Sequence, residues 1–304
     1  MKIIYAGSPE YAVAPLRALI EAGKEVVAVV TQPDKPVGRK RIITPTAVKV
    51  YAQEAGIPVY DFQKIRDHVE ELCSLGADVM ITCAYGQLLT QGVLDAFTVG
   101  VYNLHASLLP AFRGASPIQS AILAGCDQTG VTVMKTELSL DSGAVLLTKC
   151  VDIGNKTCAQ LSGELSSLSA EAVLEAVELL ESGKFTLVPQ DDSKATFCKK
   201  ISKEDARVRF DKSAFEVARL INAMNPSPVA YCNLSGSAVN LYCATPCDGE
   251  GESGTVIRAD KNGIVVACEK GAVNICELQF AGGKVTSARD AVNGRKVKVG
   301  DRFD

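Results

Sequence analysis

The sequence predicts an α/β fold class, because apolar strand-like runs alternate with helical patterns over roughly the first 190 residues. Residues 2–6 form an apolar run that ends at Gly7-Ser8-Pro9, and a helical pattern covers 10–22. A Val-rich run over 26–31 follows. This strand–helix–strand order indicates a βαβ unit, and hence a Rossmann-like, open and mostly parallel sheet.

The same alternation continues along the chain. We expect helices where an amphipathic pattern ends at a glycine or follows a capping residue, over 46–55, 69–75, 116–125 and 157–182. We expect strands where short apolar runs are bounded by turn residues, over 58–60, 78–84, 103–105, 130–134 and 144–151. The last two strands flank a polar turn at 137–143 and predict a hairpin at the sheet edge.

The composition changes at 188–207, which is polar and rich in Lys, Asp and Ser and therefore predicts a linker. Beyond it we expect one helix over 213–224. Five short strands follow, over 230–234, 238–243, 254–259, 263–267 and 273–280, and indicate a small β-barrel of OB-like type. The predicted organisation is a catalytic domain at 1–188, a linker at 189–206 and a C-terminal domain at 207–304.

The composition and the lengths of the apolar runs argue against membrane, secreted and zinc-binding proteins. No apolar run reaches the roughly 20 residues that span a bilayer, so we expect no membrane association. Because Met1 leads directly into a strand, we expect no cleavable signal. The eleven cysteines are odd in number and several lie inside apolar runs, which favours free thiols in a reducing cytosol. Cys243 and Cys247 are the closest pair and have no further Cys or His nearby, so no zinc site is predicted.

The net charge is −3 but is uneven: residues 1–206 carry 19 basic against 24 acidic side chains, and residues 207–304 carry 13 against 11. This points weakly to a polyanion partner for the C-terminal part, although chance can produce such a difference. A basic loop at 34–41, with Arg39, Lys40 and Arg41, fits either a solvated surface loop or a mobile arm for phosphates.

The chemistry is concentrated at Asn103-Leu104-His105. On a strand, Asn103 and His105 project from the same face at the carboxyl end, where open parallel sheets bind ligands. The amide can donate to an oxyanion and the imidazole can move a proton, which suits acyl chemistry. Asp141, 36 residues after His105, lies in a turn and could orient the imidazole. The alternatives are a core histidine with a capping Asn, and an ordinary Asx-turn at Asp141.

Four further blocks accompany this stretch. They are Ser107-Leu108-Leu109-Pro110, Arg113-Gly114-Ala115, Gly130-Val131-Thr132 and Leu140-Asp141 with Gly143. Together with Asn103-Leu104-His105 they resemble the formyltetrahydrofolate-dependent formyltransferases.

Additional blocks narrow the resemblance to the methionyl-tRNA formyltransferases. They are Tyr5-Ala6-Gly7-Ser8-Pro9, Thr31-Gln32-Pro33-Asp34, Ala84-Tyr85-Gly86, Lys200-Ile201-Ser202-Lys203-Glu204 and Asn225-Pro226. The chain has no Trp, and Phe210 and Ser227 stand where the family often has one.

The resemblance implies transfer of the formyl group of 10-formyltetrahydrofolate to the methionine amino group of initiator methionyl-tRNA, for translation initiation. It implies that Asn103 binds the formyl oxygen, that His105 transfers protons and that Asp141 orients His105, directly or through a water. No metal is required.

The resemblance also implies the binding residues. Folate would contact the wall formed by Ser107, Leu108, Leu109 and Pro110, and the segment containing Tyr85, Gly86 and Leu88. The tRNA would contact Arg39, Lys40 and Arg41. We expect a cytoplasmic monomer.

Three other functions compete. Formyl transfer could go to a small amine or to water with the same catalytic residues, although such enzymes would not need the basic loop and C-terminal barrel. An inactive α/β module joined to an RNA-binding domain would be indifferent to loss of His105. A nicotinamide dehydrogenase is disfavoured, because Gly7-Ser8-Pro9 is not the dinucleotide-binding glycine pattern.

Overall fold

The computed structural model describes residues 1–38 and 40–304, and its α/β architecture confirms the predicted fold class. The chain forms two compact units. The N-terminal unit comprises Met1–Gly114, Thr129–Val151 and Ser162–Cys198. The C-terminal unit comprises Ala115–Gln128, Asp152–Leu161 and Lys199–Asp304. The two units are therefore not continuous in the chain, and the domain boundaries at 188 and 206 stay predictions.

The elements of the first part of the chain alternate as the sequence predicts. The strands are β1 (Lys2–Gly7), β2 (Glu25–Val30), β3 (Lys35–Val37), β4 (Ile42–Thr44), β5 (Val59–Tyr60), β6 (Val79–Cys83), β7 (Gly100–His105), β8 (Arg113–Gly114), β9 (Gln128–Lys135), β10 (Val145–Asp152) and β11 (Phe197–Cys198). The helices are α1 (Val13–Glu21), α2 (Ala47–Glu54), α3 (Val69–Ser74), α4 (Gln91–Leu94), α5 (Pro117–Ala124) and α6 (Cys158–Ser182).

Seven strands form the central sheet in the order β10-β9-β7-β6-β1-β2-β5. The pairs from β7 to β5 are parallel, whereas β9 runs antiparallel to β7. The inner strands are apolar along their whole length because both of their faces are buried, as in β1 and β6. This topology places the carboxyl ends of β6 and β7 side by side.

The basic loop differs from the prediction. Residues 35–37 of the predicted loop at 34–41 form β3, which pairs with β4, just beyond that loop, as an antiparallel hairpin that joins Lys35 to Thr44 and Val37 to Ile42. Both strands are exposed throughout. The pairing is therefore held by backbone hydrogen bonds and not by burial, which is why the apolar pattern gives no signal for it. Arg39 lies outside the described residues.

The remaining elements are antiparallel strands and two helices. They are α7 (Ala214–Ala223), β12 (Ala230–Leu234), β13 (Ser237–Cys247), β14 (Val256–Asp260), β15 (Gly263–Ala267), β16 (Ala272–Phe280), β17 (Thr286–Ser287) and α8 (Ala288–Asn293).

The C-terminal unit is built on a sheet of order β12-β13-β16-β15-β14, with β17 paired to β16. The last residues of the chain join its two edges, because Phe303 bridges to Leu234 of β12 and Arg302 bridges to Thr255 beside β14. This closure agrees with the predicted barrel. Phe210 is buried and its ring centroid lies 5.9 Å from that of Phe303, so it fills the core of this unit.

The sequence pattern did not predict α8 or the closing role of residues 302–303. Among the described residues, no helix is long and apolar enough to cross a bilayer.

Candidate active site

The carboxyl end of β7 places Asn103 and His105 on one face of the sheet, as the alternation of side chains predicts. Asn103 is paired with Thr82 of β6 on one side and with Met134 of β9 on the other. His105 is paired with Thr132 and is only 5% exposed. Asn103 is therefore held between two neighbouring strands, whereas His105 is held by β9 alone.

The amide of Asn103 has a fixed orientation. Its Oδ1 accepts a hydrogen bond of 2.8 Å from Oγ1 of Thr82, a buried residue on the neighbouring strand. Because Thr82 engages the oxygen, the NH₂ group is directed to the opposite side of the amide, where it can donate to a ligand. Thr82 lies inside an apolar strand, and no pattern in the sequence marks it.

The imidazole of His105 lies between a carbonyl and a carboxylate. Nε2 is 3.0 Å from the carbonyl oxygen of Phe112, and Nδ1 is 3.7 Å from Oδ2 of Asp141. A carbonyl oxygen only accepts, so Nε2 donates to it and Nδ1 of the neutral ring carries the lone pair. A proton taken up at Nδ1 would then face the Asp141 carboxylate and be stabilised by it.

Asp141 therefore lies next to His105 in the fold. The distance between them is too long for a direct hydrogen bond but short enough for an ion pair. Its Oδ2 accepts a 2.8 Å hydrogen bond from the backbone N–H of Gly114. Its backbone is left-handed, with φ +48°, a conformation that costs free energy for a residue other than glycine and concentrates at functional sites. Its side chain is 14% exposed.

The turn that carries Asp141 approaches β9 closely at Gly143. A Cβ on Gly143 would lie 1.7 Å from the carbonyl oxygen of Lys135, so only glycine fits. Gln190 fastens the same turn, because its Nε2 donates to the carbonyl oxygens of Asp141 at 2.9 Å and of Gly143 at 2.7 Å. No sequence signal pointed to Gln190, which lies within the predicted linker.

The predicted wall at 107–110 is a tightly bonded loop. Ser107 is fully buried, and its hydroxyl donates to the carbonyl oxygen of Ala111. Thr132 donates to the carbonyl oxygen of Ser107 and accepts from the N–H of Leu109. The side chain of Ser107 therefore stabilises the loop, while Leu108, Leu109 and Pro110 remain half-buried and able to contact a ligand.

The second predicted binding segment follows β6. Tyr85 is buried, its burial raises the pKa of its hydroxyl, and that hydroxyl has no hydrogen-bond partner among the described residues. Gly86 is exposed at φ +80°, and Leu88 is 87% exposed. A large apolar side chain at that exposure can cover a bound molecule.

A cavity of about 450 Å³ lies in the N-terminal unit between the segments around α4 and 135–138. Its lining includes the apolar Leu94, Phe97 and Val101 and the polar Thr136 and Glu137. The hydroxyl of Thr136 is buried and finds no hydrogen-bond partner within the described part of the chain. The exposed lining of the cavity is therefore mainly polar, with Leu94, Phe97 and Val101 among it.

Lys40 and Arg41 are exposed between β3 and β4. The predicted contribution of Arg39 lies outside the described residues. Across residues 1–38 and 40–304, no group of three or more His, Cys, Asp or Glu side chains could hold a metal ion.

Comparisons with known proteins point to one family. The formyl transferase family model matches residues 1–177, and the model of the formyl transferase C-terminal domain matches residues 200–296. The methionyl-tRNA formyltransferase of Stutzerimonas stutzeri is 44% identical over 299 residues, covering 97% of this chain and 95% of that protein. That of Dechloromonas aromatica is 42% identical over 309 residues, covering 100% and 99%.

Solved structures share the fold. An N-formyltransferase from Helicobacter canadensis, in complex with folinic acid and dTDP-3-aminofucose, matches with a TM-score of 0.71 at 17% identity, over 90% of this chain and 98% of that one. HypX from Aquifex aeolicus in complex with tetrahydrofolic acid matches with a TM-score of 0.66 at 19% identity, over 98% of this chain. This chain spans about half of HypX, at 48% of its length.

Proposed function

The chain belongs to the methionyl-tRNA formyltransferase family, and on this premise we propose that it transfers the formyl group of 10-formyltetrahydrofolate to the methionine amino group of initiator methionyl-tRNA. The observation that carries the proposal is the convergence of Asn103, His105 and Asp141 at the carboxyl end of β7. Acyl transfer to an amine requires a hydrogen-bond donor for the carbonyl oxygen and a base for the amine proton. Here the Asn103 amide is the donor, and His105, paired with the Asp141 carboxylate, is the base.

His105 acts as the proton-transfer residue in this proposal. Its Nε2–H is engaged by the carbonyl oxygen of Phe112, so Nδ1 accepts the proton that the attacking amine must lose. Asp141, 3.7 Å away, stabilises the positive ring that results. The ring then holds the proton until the leaving nitrogen takes it, without changing its contact with Phe112.

Asn103 binds the formyl oxygen. Its NH₂ group donates to that oxygen as negative charge develops there, and Thr82 keeps the amide from rotating. A donor held in place before the reaction needs no reorganisation during it, and loss of one such donor typically lowers kcat by roughly 10² to 10³-fold. Asn103 and Thr82 therefore act as one donor unit.

The residues present fit a folate co-substrate. When bound, the folate supplies the formyl carbon that the amine attacks. The cavity beside Thr136 and Glu137 offers polar groups for the polar edge of a flat ring, and Leu94, Phe97 and Val101 to contact its face. Leu88, exposed at 87%, and the half-buried Leu108, Leu109 and Pro110 provide apolar surface for the rest of the molecule.

The tRNA is bound through local basic surface, because the chain as a whole carries −3. The exposed Lys40 and Arg41 of the hairpin, with Arg39, reach the phosphates of the acceptor end. The C-terminal residues 207–304, with 13 basic against 11 acidic side chains, supply a second and weaker contact. Binding of this kind is moderate and weakens steeply with salt. A translation enzyme of this kind works in the cytosol.

Formyl transfer to another amine is the competing reaction, and one assay separates the two. The protein is incubated with 10-formyltetrahydrofolate and, in parallel, methionyl initiator tRNA, methionyl elongator tRNA, free methionine and a nucleotide-linked amino sugar. We expect formyl-methionine on the initiator tRNA and little product on the other acceptors. No product on the initiator tRNA, or faster formylation of the amino sugar, would overturn the proposal.

A further inference from the structure

The position of Asp141 relative to His105 depends on residues that touch neither reactant. The Asp141 carboxylate is held 3.7 Å from Nδ1 of His105, on a backbone in the left-handed region with φ +48°. Contacts from other residues hold the turn in this position. The contacts that do so come from Gly114, which donates to the carboxylate, and from Gln190, which donates to two carbonyls of the turn.

The amide of Gln190 has an unambiguous orientation. Its Oε1 accepts from Nε of Arg113 at 3.0 Å and from Nη2 at 2.8 Å. Its Nε2 donates to the carbonyl oxygens of Asp141 and Gly143. A guanidinium only donates and a carbonyl only accepts, so rotating the amide would oppose like groups on both sides. Gln190 thus connects the Arg113 guanidinium to the Asp141 turn with its amide in a single orientation.

Arg113 is the fixed end of this connection. Its side chain is 5% exposed, and its Nη2 also donates to Asp192 at 2.7 Å. The backbone around it holds both members of the pair, because the carbonyl of Phe112 accepts from His105 and the N–H of Gly114 binds Asp141. Three successive residues therefore hold the base, the glutamine and the carboxylate.

We infer that Gln190, oriented by Arg113, is a positioning residue that sets the distance between Asp141 and His105, an inference that rests on the proposed function for its catalytic consequence. It holds the backbone of the turn while the N–H of Gly114 holds the carboxylate, so the carboxylate cannot withdraw from Nδ1. Small displacements of a catalytic group cost activity steeply, about 10²-fold for about 1 Å.

Gln190→Glu tests this with almost no change in shape. The carboxylate keeps an acceptor for Arg113 but offers no donor to the two carbonyls, which it repels. If Gln190 only accepted the hydrogen bonds of the buried guanidinium, the variant would be as active as the wild type. As a positioning residue, it lowers kcat by roughly 10- to 100-fold and leaves KM for the tRNA within about twofold. Gln53→Glu, the same change on the exposed face of α2, is the matched control.

Two further measurements separate the outcomes. In an Asp141→Asn background, Gln190→Glu lowers kcat far less than it does alone, because its effect passes through the carboxylate. The chain has only two histidines, so the ring ¹⁵N resonances of His105 can be followed without substrate, with His68 as the internal reference. We expect the Nδ1 resonance of His105 to move in Gln190→Glu while that of His68 does not.

A folded Gln190→Glu protein with wild-type kcat and an unmoved His105 resonance would overturn the inference. If that variant fails to fold, Gln190→Met, which has similar length and no hydrogen-bonding amide, is judged by the same two readouts. A wild-type protein that formylates no methionyl-tRNA would instead refute the proposed function, and the His105 resonance would then decide the positioning role by itself.

Discussion

Replacing Asp141 with Asn removes the negative charge beside His105 and leaves the fold of the turn in place. The Asn side chain has nearly the same shape, and its oxygen can still accept from the N–H of Gly114. What is lost is the attraction between a carboxylate and the protonated ring at 3.7 Å. The perturbation therefore reports on electrostatic stabilisation and not on packing.

The distance between the two groups and their burial set the size of the expected loss of activity. Two unit charges at this separation attract with about 1 kcal/mol in water and about 4 kcal/mol at the effective dielectric constant of about 20 that suits protein sites. The two side chains are 6% and 14% exposed, which favours the upper part of that range after some screening. A loss of about 3 kcal/mol in the transition state corresponds to a roughly hundredfold lower kcat.

The assay is single-turnover formylation of methionyl initiator tRNA, with tRNA affinity measured separately by filter binding. Asp191→Asn, an exposed change of the same chemistry in the same unit, is the control. We expect Asp141→Asn to lower the rate of the chemical step and to leave tRNA affinity within about twofold. A decrease of less than about threefold would refute the reasoning, because the carboxylate would then contribute nothing that its distance from His105 predicts.

Three other predictions follow from single contacts. Thr82→Val releases the amide oxygen of Asn103 and should lower kcat by roughly three- to tenfold at unchanged thermal stability, measured by steady-state kinetics and calorimetry; unaltered kcat would contradict the orienting role. Gly143→Ala places a Cβ 1.7 Å from the carbonyl oxygen that ends β9, so we expect the free energy of unfolding, from urea titration, to fall by about 1–3 kcal/mol, and wild-type stability would contradict this. The pKa of Cys276 is lowered because the thiol of Cys243 donates a hydrogen bond to it. Alkylation of Cys276, followed by peptide mass spectrometry, should therefore set in at a lower pH than alkylation of an ordinary thiol, and Cys243→Ala should move its midpoint upward; no movement would disprove the coupling.

The inner strands of the central sheet could be predicted because they are buried on both faces. Burial gives β1 and β6 short, largely apolar runs, with Lys2 and Thr82 as the exceptions. The β3–β4 hairpin could not be predicted in this way, because its residues are exposed and its pairing depends on the backbone alone. The closing of the second sheet by Phe303 was equally invisible, because its partner Leu234 is distant in the chain.

The residues of the candidate site likewise include some that the sequence predicts and some that it does not. The shared face of Asn103 and His105 follows from the two-residue period of a strand, so the sequence predicts it directly. The approach of Asp141 was expected only through the resemblance, because no period connects residues 36 apart. Thr82 and Gln190 gave no signal, because each acts through a contact made across 21 or 49 residues of chain. Long-range hydrogen bonds of this kind are visible only in the folded protein.

The most direct test of the account removes the base. His105→Gln is compared with His68→Gln, the same change at the other histidine, in single-turnover formylation of methionyl initiator tRNA and in tRNA binding. The account predicts that His105→Gln lowers the rate of formyl transfer by roughly 10² to 10⁴-fold while tRNA affinity stays within about twofold, and that His68→Gln changes neither. Formyl transfer by His105→Gln at a rate within threefold of the wild type would contradict the assignment of the catalytic centre to the carboxyl end of β7.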